Sequence, residues 1–355
     1  MKVTQEQVLD ALRFVMDPDL KRDVVSLGFI KDLKIEGGQV YFTLELTTPA
    51  CPLKEQLKTA AEEAVRRIKG ISEVHVEVTS KVSTHRTQVE GEILPGVRNI
   101  VAIASGKGGV GKSTVCVSLA VALARTGAKV GLLDTDIYGP SIPIMMGVKE
   151  QPEMIEQRLI PISKYGVKLM SIGFLIDEET PLIWRGPMVM KAVEQLLTDV
   201  EWGELDYLMI DLPPGTGDVQ LTLAQKVPLT GAVIVTTPQD VALLDVVRGI
   251  SMFKKLNVPI LGIIENMSFF QCPHCGEKSD IFSHGGGEAA SRKLEVPFLG
   301  EVPIDLKTRT GGDTGRPVLI DAPDSNQSKI FMEIAGQMAA RISSLKVPSP
   351  QWGEG

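Results

Sequence analysis

The sequence predicts a small α+β domain followed, after a linker, by a larger α/β domain with a mainly parallel sheet. Three observations carry this. Short apolar runs alternate with longer helical stretches beyond residue 99, a glycine-rich turn joins one such run to an apolar helix, and the first 80 residues follow a different order. A length of 355 residues also exceeds one ordinary domain.

In the first unit, placed at residues 1–80, Val8, Leu9, Leu12, Phe14 and Val15 supply an apolar helical face. Residues 29–35 and 40–46 then alternate around Gly37-Gly38, a pair free enough in φ for a tight hairpin. A helix over 53–68 and a strand over 74–78 follow. Residues 81–98 are polar, lack a sustained period and contain Pro95-Gly96, which reads as a linker. The second unit, 99–348, has strand-like runs at 99–104, 130–133, 207–210, 232–236 and 260–264. Each is short and almost wholly apolar, as strands covered by helices on both faces require. A helix over 328–345 ends the unit, and 349–355 is expected to be a disordered tail.

Composition narrows the function classes. A net charge of -7 argues against non-specific binding to nucleic acid or an anionic membrane. The N-terminus reads as an acidic amphipathic helix and not as a signal peptide, no apolar run has spanning length, and the expected location is cytoplasmic. The four cysteines, Cys51, Cys116, Cys272 and Cys275, are too few for a disulfide scaffold, which leaves free thiols or metal ligands.

Gly106, Lys107, Gly108, Gly109, Val110, Gly111, Lys112, Ser113 and Thr114 fit G-x-x-x-x-G-K-[ST] between a strand and a helix. In this P-loop the glycines turn backbone N–H groups toward phosphates, Lys112 neutralises β/γ charge and Ser113 ligates magnesium. Lys107 is poorly placed for its own phosphates. It is either a solvated loop residue or a finger reaching the phosphates of a facing subunit.

Two strands end in carboxylates: 130–133 leads into Asp134-Thr135-Asp136, and 207–210 into Asp211. Ligands gather at such strand ends. Asp211 suits holding magnesium through water, and Asp136 suits orienting the attacking water. Asp134 and Asp218 serve equally well as turn caps. Here the chain resembles the deviant Walker A ATPases, the group of MinD, ParA, the nitrogenase iron protein and ArsA. The resemblance implies a homodimer sandwiching two nucleotides, with Lys107 crossing the interface. It also matches Asp136 to switch I, the segment after Asp211 to switch II, and Asn266 to the position that reads the adenine edge.

Cys272-Pro273-His274-Cys275-Gly276 lies in a loop after the strand at 260–264 and has three readings. A redox dithiol is opposed by its place late in a nucleotide-binding domain. A structural zinc would need His274 or His284 at irregular spacing. Symmetry offers the third: two thiolates per chain become four on a two-fold axis, the ligand set of an iron–sulfur cluster. Cys116, on the helix after the P-loop, reads as buried and inert. Cys51 precedes a predicted helix whose dipole favours a thiolate, so a transient cluster or partner contact and an inert half-buried thiol both stay open.

GKGGVGKST, LLDTDIYGPS, WRGPM at 184–188, DLPPGTGD, ENMS and CPHCG together resemble the Mrp/ApbC iron–sulfur cluster carrier ATPases over nearly all of 97–345. Asp17-Pro18, Leu27-Gly28 and the run from Thr47 to Pro52 resemble the small iron–sulfur-assembly domain often fused to them. The resemblance implies slow, regulatory ATP hydrolysis with Mg2+. It further implies a labile cluster, [4Fe–4S] ahead of [2Fe–2S], bridged between subunits and passed to apo iron–sulfur proteins alongside assembly factors. The alternative is a MinD/ParA-like positioning ATPase without metal, which leaves Cys272 and Cys275 unexplained.

Overall fold

A computed structural model describes residues 3–85, 94–137, 139–175, 186–215 and 217–345. The described chain divides into two compact units: residues 3–83 together with 339–345 form the first, and residues 84–338 the second.

In the first unit a capping box opens α1 (Gln5–Leu12): the Thr4 hydroxyl accepts from the Gln7 amide while the Gln7 side chain accepts from the Thr4 amide. Strands β1 (Ile30–Glu36) and β2 (Gln39–Leu46) pair antiparallel, and β2 pairs parallel with β3 (Glu73–Ser80). The helix α2 (Lys54–Arg66) buries Leu57, Ala61 and Val65 in the core with Val8, Leu12, Phe42 and Leu44. Phe14 departs from expectation. The helix ends at Leu12, so Phe14 points out at 86% exposure while Val15 turns in.

The second unit is a mixed, mostly parallel sheet of nine described strands. In chain order they are β4 (Val97–Ala104), β5 (Val130–Asp134), β6 (Ile162–Lys164), β7 (Val167–Ser171), β8 (Leu205–Asp211), β9 (Gly231–Thr236), β10 (Ile260–Gln271), β11 (Lys278–Ser279) and β12 (Phe298–Ile304). They lie in the order β6-β7-β5-β8-β4-β9-β10-β11, with β12 also on β10. Only the β6/β7 and β10/β11 pairings are antiparallel among these. The helices α3 (Lys112–Arg125), α4 (Gly186–Thr198), α5 (Asp218–Lys226), α6 (Asp240–Lys255), α7 (Gly286–Leu294) and α8 (Asn326–Ser344) connect or follow the strands. The strands β5, β8 and β9 are buried along their whole length, matching the unbroken apolar runs. Because β5, β8 and β4 are neighbours, the ends of β5 and β8 and the turn after β4 meet at one place.

Candidate nucleotide site and cysteine hairpin

That meeting point holds the P-loop. Gly109 and Gly111 have φ of +79 and +78, a region costly for any residue with a Cβ, and Gly111 caps α3. The Gly106 position tolerates no side chain, because a Cβ there would come within 2.2 Å of Asp245 Cβ on α6.

Lys112 is 5% exposed, its Nζ 2.7 Å from Asp211 Oδ1 and 3.5 Å from Asp136 Oδ2. Burial opposes its charge, but Asp211 and Asp136 outweigh burial and hold the ammonium above its usual value. The Ser113 hydroxyl donates to Asp211 Oδ2 at 2.6 Å. This convergence of hydroxyl and carboxylate fits a magnesium ion. Asp136 Oδ1 is buried with no hydrogen-bond partner, an acceptor suited to a reacting water. Thr114 follows on α3, and Lys107 lies half-buried with its carbonyl accepting from the Ser105 hydroxyl.

Asp134 and Asp211 are register neighbours on β5 and β8. Burial, then the Asp211 charge, pushes the Asp134 carboxyl up to about 7. Burial also raises Asp211, against the pull of Lys112. Asp134 accepts from the Asp136 amide at 3.0 Å, the Ser171 hydroxyl at 3.0 Å and the Ile142 amide at 3.3 Å. It therefore caps the turn that carries Asp136. Ser171 carried no sequence signal, because only the β7/β5 register brings it there.

Strand β10 runs on to Gln271, seven residues past its predicted end, so Asn266 lies within it. The Asn266 Nδ2 group donates to the Val110 carbonyl at 2.8 Å, tying this strand to the P-loop. Met267, at φ +57, bends the strand just beyond. The cysteines then occupy a hairpin turn between β10 and β11 in place of the expected open loop. The Cys272 amide donates to the Glu277 carbonyl at 2.9 Å, and the Gly276 amide to the Cys272 carbonyl at 2.9 Å.

Cys272 is half-buried and Cys275 exposed. Hydrogen bonds from the Cys275 and His274 amides, and from the Cys275 side chain, lower the Cys272 thiol below its usual value. Among the described residues, the one metal-ligand-type group of three gathers Glu265, His284 and Glu301 and includes neither cysteine. A zinc site completed by His284 within the chain is therefore not assembled.

Two other thiols separate. Cys116 is fully buried, and burial followed by Asp211 pushes its thiol well up. At Cys51, where two readings stand open, burial, with Asp17 and Asp19 nearby, raises the thiol and outweighs any favour from the helix end. Trp184, Arg185, Thr216 and residues 346–355 lie outside the described residues, as does the Asp218 side chain.

The fold and the strand-end site define a P-loop nucleotide triphosphatase with a parallel core. Residues 96–339 match the family model described as NUBPL iron-transfer P-loop NTPase, and the chain belongs to that family. Residues 5–78 match the model described as iron-sulfur cluster assembly protein. The iron-sulfur cluster carrier protein of Synechocystis is 49% identical over 347 residues, spanning 96% of this chain and 98% of that protein. A solved nucleotide-binding protein of Archaeoglobus fulgidus in complex with ADP is 40% identical, with a TM-score of 0.59 over 67% of this chain and 93% of that one. The cell division ATPase MinD of Pyrococcus furiosus is 26% identical, with a TM-score of 0.53 over 68% of this chain and 98% of that one.

Proposed function

We propose that the protein hydrolyses ATP slowly and carries a labile iron–sulfur cluster, a four-iron one, bridged by Cys272 and Cys275 of two subunits. The observation that carries this is the cysteine hairpin: a lowered thiol beside a second, exposed thiol, with no third ligand gathered from the same chain among the described residues. A two-fold axis supplies the missing pair. Kinship with iron-sulfur carriers supports the cargo, and the chain would act in the cytoplasm on apo iron–sulfur proteins and assembly factors.

In the nucleotide site, the amides from Gly106 to Thr114 cradle phosphates and Lys112 offsets their charge. Ser113 and Asp211 hold Mg2+, which lends its charge to the phosphate oxygens. Asp136 orients the water, and Lys107 acts on the partner's nucleotide. Asn266 serves the base side while bracing Val110. Because the P-loop is tied to β10, and β10 leads into Cys272, nucleotide turnover has a direct route to the cargo. Anaerobic reconstitution with iron and sulfide, with size measured alongside, tests this. About four irons per dimer are expected. A monomer holding a complete cluster would overturn the bridged arrangement.

A further inference from the structure

Glu265 on β10 and Glu301 on β12 are direct register neighbours on adjacent parallel strands. Two carboxylates placed side by side repel, and one of them is in the interior: Glu265 is 0% exposed. Part of the charge is offset locally. Glu265 accepts from the Gly285 amide at 3.1 Å and from the Gly287 amide where α7 begins. The Ser268 hydroxyl lies 2.6 Å from Glu265 Oε1 and 3.2 Å from Glu301 Oε2, but its single proton serves one of them at a time.

The third member is His284, whose Nε2 sits 2.8 Å from Glu301 Oε2. The pairing of His284 with Glu301 offsets at most one of the two carboxylates. Among the described residues neither glutamate pairs with a lysine or arginine, and the nearby Lys278 ammonium lies over the Phe269 ring, 4.2 Å from its centre. The ligand-type atoms of all three residues fall within 4.8 Å of one another.

We propose that Glu265, His284 and Glu301 form a binding site for a divalent first-row metal ion, separate from the P-loop and from the cysteine pair. Two carboxylates balance the charge of such an ion, and one imidazole favours it over magnesium or calcium. Ligand arms of roughly 2.1 Å place neighbouring donor atoms about 3–3.4 Å apart. The site needs only a small inward closure, and its half-exposed members, His284 and Glu301, are free to supply it. Their exposure also gives the ion a way in, while Glu265 stays fixed by α7. The metal takes the place of the hydrogen bond between Nε2 and Glu301, with the imidazole proton then on Nδ1.

The test uses full-length protein carrying Cys272→Ser and Cys275→Ser, so that the cluster reading and this one fail separately. Equilibrium dialysis against cobalt(II), with ADP and excess magnesium occupying the P-loop, counts bound ions. One cobalt per chain is expected. Adding His284→Ala or Glu301→Gln should weaken it about tenfold or more, and melting curves check that both variants fold. Absence of bound cobalt in the cysteine-free protein, or cobalt affinity untouched by both substitutions, overturns the proposal.

Discussion

Replacing Lys112 by methionine keeps the aliphatic stem and removes the one ammonium between Asp211 and Asp136. Lys112 is 5% exposed, and the Asp211 side chain is 0% exposed at 2.7 Å. Removing one partner of such a buried pair costs about 3–5 kcal/mol, because the remaining charge stays desolvated. At an m-value near ~3 kcal/mol/M in urea, the unfolding midpoint falls by about 1 M or more. The loss depends on pH in a definite direction. Without the ammonium, Asp211 folds more easily as the neutral acid, so the variant loses stability as pH rises and recovers part of it in acid. Tryptophan emission in urea is the assay, since Trp202 is buried in the core of the second unit. Adding Asp211→Asn should restore most of the stability. A single variant as stable as the parent at pH 8, or a loss of the same size at pH 5, would refute the reasoning.

Lys107→Ala should leave ATP affinity within about twofold but lower turnover about tenfold or more, because in the proposed dimer its charge would act only on the partner's phosphates. Equal loss of binding in Lys107→Ala and Lys112→Ala variants would remove that distinction. Asp136→Ala should bind MgATP and hydrolyse it slowly, whereas Asp211→Ala should need far more magnesium; turnover at varied magnesium separates them. Asp134 titrates at about 7 in the folded chain against an unfolded value near ~3.9. The folded state then keeps a proton that the unfolded state gives up, and parent stability falls as pH rises through that window. Asp134→Asn should flatten this fall, read as melting temperatures from pH 4.5 to 7.5, and an unchanged slope would contradict the assignment.

What the sequence revealed was local. A P-loop writes its geometry into neighbouring residues, and carboxylates after apolar runs mark strand ends, so Lys112, Asp136 and Asp211 were legible before any packing was known. The polar pair Glu265-Asn266 hid the continuation of β10. The buried carboxylate is accommodated there because Gly285, Gly287 and Ser268 meet Glu265, and two of these lie some twenty residues away. Phe14 looked like core because it follows an apolar helical face, but the helix ends two residues earlier. The raised Cys51 thiol reflects burial, which depends on residues far away in sequence. The Glu265–Glu301 adjacency likewise exists only through strand register.

The central claim, a cluster held between two copies of the cysteine hairpin, is met most directly by iron and sulfide content after identical anaerobic reconstitution of the parent, Cys272→Ala and Cys275→Ala proteins. Symmetry duplicates each substitution, so either change removes half of the ligands at once. The account predicts near-complete loss of iron and sulfide in both variants, with ATP binding preserved and Cys116→Ala still fully loaded. A Cys272→Ala protein that retains its cluster would contradict it.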